Sequence, residues 1–188
     1  MHLARGKMET NLRAFVVLCI TILCLLFWVN QCESIEVSIG HGINVPVESW
    51  QSDGLQCQVS QLKLSHEFKS PWYGVLVLDK FKGKINPPHS IDGKYFSGMY
   101  TGVGISARVT IQKCLFGNMY SNLFGGLGLL PKQMPEIGNS GMIGHFGAGV
   151  KYCWKKWRIG YEWIHTSDPL QHGDKGWNVQ LLTVGWEW

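Results

Sequence analysis

The chain has 188 residues, with 17 Lys and Arg against 13 Asp and Glu and a formal net charge of +4. That length fits one domain behind a leader, and the charge excess is too small to argue for nucleic acid or any other acidic partner. Glycine is abundant, at 23 residues, and it recurs inside patterned segments rather than only between them.

Residues 1–34 read as an export signal. Arg5, Lys7 and Arg13 precede the apolar run Ala14 to Val29, and Cys32-Glu33-Ser34 supplies small residues for a signal peptidase. The apolar run is shorter than the ~20 residues that span a bilayer as a helix. Cleavage there removes Cys19, Cys24 and Cys32 and leaves Cys57, Cys114 and Cys153, an odd set that predicts no obligatory disulfide.

Residues 35–188 carry a period of two. Ile35, Val37 and Ile39 alternate with Glu36, Ser38 and Gly40. Between Met99 and Ile111 the odd positions are Met, Thr, Val, Ile, Ala, Val and Ile, while the even ones are Tyr, Gly, Gly, Ser, Arg and Thr. Phe146, Ala148 and Val150 oppose His145, Gly147, Gly149 and Lys151 in the same way. A water-facing side would carry long charged residues, so glycine and serine on the second side indicate the crowded interior of a small barrel, and the apolar side then meets lipid. The last segment ends with Leu182, Val184, Trp186 and Trp188 on one parity, similar to the C-terminal pattern of bacterial outer-membrane barrels.

The segments predict eight strands at 35–42, 56–68, 72–79, 96–112, 119–130, 142–153, 157–167 and 177–188. The fold class is therefore all-β: an eight-stranded antiparallel transmembrane β-barrel of the outer membrane. Lys69-Ser70-Pro71, Lys113 to Asn118 and Trp154-Lys155-Lys156 supply short periplasmic connections. The longer ones, 43–55, 80–95, 131–141 and 168–176, are rich in Gly, Pro, Asn and Asp and become extracellular loops. On this reading Lys80, Lys82, Lys84 and Lys94 fall in the second extracellular loop, within reach of lipid phosphates. Lys63, Glu67, Arg108, Lys151 and Glu162 face the lumen and pair there, because isolated charges in that setting are costly.

The chemistry concentrates in the seventh strand. His165 and Ser167 share the odd parity of Ile159, Tyr161 and Trp163, so base and nucleophile lie on the lipid-facing side near the outer rim. On the eighth strand the lipid-facing parity is even, and Asn178 lies at the matching height. Ser167 is the candidate nucleophile, His165 the general base and Asn178 the group that orients the imidazole, as the amide does in Cys-His-Asn enzymes. His145 reads as a lumen residue, whereas His41, His89 and His172 sit near or in loops. No set of side chains has metal-ligand spacing. Gly102-x-Gly104-x-x-Ala107 fits a dinucleotide fingerprint, but inside a strand rather than at a strand-to-helix turn.

Phe124-Gly125-Gly126-Leu127-Gly128, His145-Phe146-Gly147-Ala148-Gly149-Val150 and Gly160-Tyr161-Glu162-Trp163-Ile164-His165-Thr166-Ser167-Asp168, followed by Gly176-Trp177-Asn178, resemble the lipid A 3-O-deacylases of the PagL type, or acyloxyacyl hydrolases. The resemblance covers most of residues 35–188. It implies a serine esterase of the outer membrane that takes lipid A of lipopolysaccharide as substrate, needs no cofactor, and uses His165 and Ser167 as catalytic residues. Two positions depart from the family motif His-x-Ser-Asn with a later acid. The Asn that supports the oxyanion is Asp168 here, and the acid aligns with Asn178. A carboxylate beside a developing oxyanion opposes it, and losing one donor costs about a hundred- to a thousandfold. Asp168 either turns away, by its parity, or replaces the missing acid; Asp174 is a further candidate acid. The competing readings are a non-enzymatic small outer-membrane barrel, structural or adhesive, and another outer-membrane lipid esterase or acyltransferase.

Overall fold

The computed structural model describes residues 34–44, 55–91, 94–130, 141–170 and 176–188. The expected leader, most of the first, third and fourth extracellular loops, and with them His172 and Asp174, lie outside the described residues. Eight strands follow one another: β1 (Ile35–Asn44), β2 (Leu55–Lys69), β3 (Trp72–Ile91), β4 (Lys94–Phe116), β5 (Met119–Leu129), β6 (Met142–Trp154), β7 (Trp157–Ser167) and β8 (Trp177–Glu187). Each pairs antiparallel with the next, and β1 closes on β8 through Val37 opposite Trp186 and His41 opposite Leu182, so the sheet closes into a barrel.

The alternation sorts side chains by face as the sequence implies. Outward positions hold Ile39, Leu62, Leu78, Val103, Leu123, Phe146, Ile159 and Leu182, all large, apolar and exposed. Such a surface is stable in hydrocarbon, not in water. Trp72, Trp154, Trp157 and Trp188 are also exposed and lie at the strand ends beside the short turns, where amphipathic rings suit a membrane interface.

The second extracellular connection differs from the expectation. Residues 80–91 continue β3 and 94–98 begin β4, with Lys80 opposite Val103, Lys82 opposite Thr101 and Lys84 opposite Met99. This polar stretch keeps the period of two: Phe81 and Gly83 turn inward while Lys80, Lys82 and Lys84 are exposed. Above the bilayer an outward polar side chain is solvated, so pairing continues past the membrane boundary. His41 likewise belongs to β1, its Nδ1 2.9 Å from Ser60 Oγ.

The lumen has two layers. Towards the periplasmic end Lys63 pairs with Glu162 at 2.5 Å, as expected, and Lys151 with Glu36 at 2.9 Å; Arg158 and Glu187 form a further pair. Glu67 accepts a hydrogen bond from the Tyr73 hydroxyl at 2.9 Å. Towards the outer end Cys57, Val59, Phe81, Leu130, Ile143, Ile164, Trp177, Val179 and Leu181 form a buried apolar cluster. Phe81 meets Trp177 edge-on at 6.3 Å. Gly83 leaves room for this indole, because a Cβ there would fall 2.8 Å from Trp177 Cη2. The barrel interior is thus plugged by side chains beneath its outer rim.

Candidate active site

β7 and β8 meet at the outer rim with His165 directly opposite Asn178. The imidazole Nδ1 lies 3.1 Å from Asn178 Oδ1. An amide oxygen only accepts, so this bond holds the histidine proton on Nδ1 and leaves Nε2 with a free lone pair, the tautomer a general base requires. Asn178 is buried although its parity is outward, and the bond is therefore shielded from competing solvent.

Nε2 and the Ser167 side chain lie on either side of Gly176. A Cβ built on Gly176 would lie 2.8 Å from His165 Nε2 and 2.8 Å from Ser167 Cβ, so both groups border one small space that the glycine leaves open. Gly176 has φ +66°, a left-handed conformation that a side chain disfavours. The backbone angle and the tight space together require glycine at that position.

Aromatic rings from β6 and β7 complete the bed. Phe146 pairs with His165 across the β6–β7 ladder, its ring 4.7 Å from the imidazole, and Trp163 meets Phe146 edge-on at 5.9 Å. Phe146 is 54% exposed on the lipid-facing surface. An apolar chain lying against the barrel would therefore reach His165 and Ser167 across a hydrocarbon surface.

Asp168 follows Ser167 at the end of β7. Its Oδ1 accepts the backbone N–H of Leu170 at 3.0 Å, closing a turn that ends the strand, and the residue is 3% exposed. The carboxylate is thus an acceptor built into the turn after the nucleophile. Of the residues expected from sequence, His165, Ser167 and Asn178 come together, and Asp168 lies next to them with its side chain in a turn. Lys80, Lys82 and Lys84 stand on β3, four strands from β7 in either direction around the barrel, and are not part of this site.

Gly176 and Phe146 were in the motifs that carry the family resemblance, without assigned roles. The parity of Phe146 put it on the lipid side, but its stacking on His165 follows only from the β6–β7 register. Behind the strand, Thr166 Oγ1 lies 2.9 Å from His145 Nδ1, and His145 Nε2 lies 3.4 Å from Asp79 Oδ2. Asp79 also accepts from Gln61 at 2.6 Å and from Ser106 at 3.2 Å. This second histidine constellation is sealed in the lumen.

Among solved structures the chain is similar to the N-terminal β-barrel domain of Pseudomonas aeruginosa OprF, at 12% identity and TM-score 0.52, over 82% of this chain and 97% of that one. It is equally similar to the Yersinia pestis outer membrane protein Ail, at 16% identity and TM-score 0.52, over 82% and 99%. At these identities the likeness is one of fold. No protein-family model and no curated protein matches the sequence. The fold and its outward apolar belt make this chain an eight-stranded transmembrane barrel of the outer membrane.

Proposed function

We propose that the protein is an outer-membrane serine esterase that deacylates lipid A, removing the ester-linked chain at the glucosamine 3-position. The observation that carries this reading is the His165–Asn178 hydrogen bond on the lipid-facing rim, with Nε2 and Ser167 bordering the one space that Gly176 leaves open. In this mechanism Ser167 Oγ attacks the ester carbonyl while His165 Nε2 takes its proton. The protonated imidazole then delivers that proton to the departing sugar oxygen, leaving an acyl-enzyme. Water, deprotonated by the same nitrogen, attacks the acyl carbonyl, and fatty acid leaves as Ser167 regains its proton. Asn178 holds the ring in one tautomer throughout, and Phe146 lines the path of the acyl chain.

A lipid-facing nucleophile makes physical sense only for a substrate that is itself a membrane component. Such a substrate arrives by lateral diffusion and keeps its acyl chains in hydrocarbon while its ester meets the rim.

The non-enzymatic barrel is a second reading, favoured by Asp168. A carboxylate tied into the turn after Ser167 donates nothing to an oxyanion. The two solved barrels reported above match on fold and do not argue against this alternative.

The two readings separate in one experiment. The full chain is expressed in an outer membrane and lipid A is weighed by mass spectrometry. Loss of one hydroxyacyl chain, absent with Ser167→Ala and with His165→Ala, is the expected result. Unchanged lipid A in every sample, with the barrel folded, leaves the non-enzymatic reading standing, whereas altered phospholipid with intact lipid A points to a different esterase or an acyltransferase.

A further inference from the structure

We infer that the outward lysines of β3, Lys80, Lys82 and Lys84, form a binding site for the phosphates of an outer-leaflet glycolipid, on the far side of the barrel from His165 and Ser167. The inference does not depend on the esterase reading. It rests on where these cations stand. Phe81 and Gly83 are buried in the lumen, so the three lysines between and beside them share the outward face, spaced about 7 Å apart along one strand.

Their height follows from the strand. Trp72 marks the inner end of β3, and Lys82 lies ten residues further along it. At ~3.3 Å per residue and a tilt of about 40°, that is a rise of roughly 25 Å, the height of the apolar band of an outer-membrane barrel. β2 and β3 change character at the same level, β2 from Leu62 to Ser60 and Gln58 and β3 from Leu78 to Lys80, whereas β4 stays apolar through Val103 and Met99. The lysines therefore begin where the outward face of β2 and β3 turns polar.

Two further observations select the ligand. The nearest carboxylate of β3, Asp79, is fully buried and engaged inside the lumen, and the described outward neighbours of the lysines, Ser60, Gln58, Thr101, Val103 and Met99, carry no negative charge. The positive charge is thus not neutralised within the described surface. On the β4 side, Val103 and Met99 pair with Lys80 and Lys84 and are 54% and 57% exposed. A cationic ladder beside an apolar one fits an amphiphile whose phosphates meet ammonium groups while a chain lies along β4. A row of three cations spans more than one phosphate, which favours a bisphosphorylated glycolipid over a phospholipid with a single phosphate.

The test uses the full chain purified in neutral detergent, titrated with bisphosphorylated lipid A, monophosphorylated lipid A and phosphatidylglycerol, with binding read by native mass spectrometry. Lipid A is expected to bind most tightly, and K80Q/K82Q/K84Q to weaken it about a hundredfold, near fivefold for each charge. Arginine at the three positions retains binding. Single substitutions carry the same test if the triple variant folds poorly. Unchanged lipid A affinity in the glutamine variants overturns the site, and equal binding of phosphatidylglycerol overturns the choice of ligand.

Discussion

Two histidine constellations stand back to back on β7. Outside, His165 joins Ser167 and Asn178 against lipid; inside, His145 joins Thr166 and Asp79 in the lumen. By residue type the inner set is the better triad, since it has a true carboxylate, and its distances of 2.9 and 3.4 Å are close to those a charge-coupled histidine needs. Yet Thr166, His145 and Asp79 are 2%, 4% and 0% exposed, beneath a plug of apolar side chains. No ester reaches them. The outer set has a weaker orienting group but an open face and an apolar approach. On the proposed reading, access rather than the quality of the acid separates the two sets, and the inner contacts tie β7 to β6 and β3 behind the outer set.

The sharpest break of this comparison is between adjacent hydroxyls. Ser167→Ala is expected to reduce lipid A deacylation at least about a thousandfold, whereas Thr166→Val, one residue away, leaves the rate per folded molecule within a few-fold and costs about 1 kcal/mol of stability. Mass spectrometry of lipid A gives the first quantity and urea unfolding in lipid vesicles the second. Loss of activity in the Thr166 variant with Ser167→Ala unaffected would invert the assignment. Next in size, Asp79→Ala removes the buried carboxylate that faces Arg108, 3.7 Å away, and His145. A cost of about 3–5 kcal/mol is expected in the same unfolding measurement, with activity retained per folded barrel; a loss of activity without loss of stability would make the inner set catalytic.

Gly176→Ala tests the outer set without touching its reactive groups. The methyl group would enter the space bordered by His165 Nε2 and Ser167 Cβ and strain the backbone at φ +66°. Displacing base from nucleophile by about 1 Å costs about a hundredfold in rate, while heat-modifiable gel mobility, a measure of barrel folding, stays unchanged. The smallest effect is expected from Asn178→Asp. A carboxylate opposite Nδ1 stabilises the imidazolium formed during attack, and the rate should rise about tenfold. A fall in rate would show that the neutral amide is required there.

The rim shows what is legible in a linear pattern. His165, Ser167 and Asn178 were placed on one face and at one height by parity and strand order, because a period of two fixes sidedness without knowledge of any partner. Lys80 to Lys84 are strand, not the loop that their polarity suggests. The continuing alternation of Phe81 and Gly83 inward was the signal that they belong to a strand. Asp168 could not be assigned from sequence, since turning into the site and closing a turn on Leu170 N–H differ by one backbone rotation.

By itself, the sequence determined the faces: apolar residues outward, small and charged residues inward, a base and a hydroxyl on the lipid side of β7. Those properties are local, set by side-chain chemistry and the alternation of a strand. Only the tertiary structure decided which groups meet. Asp79 reaches His145 from β3, Phe146 stacks on His165 from β6, and Gly176 enters the space between His165 and Ser167 from beyond a loop. These meetings depend on the register of paired strands and the closure of the barrel, which bring together residues far apart in the chain.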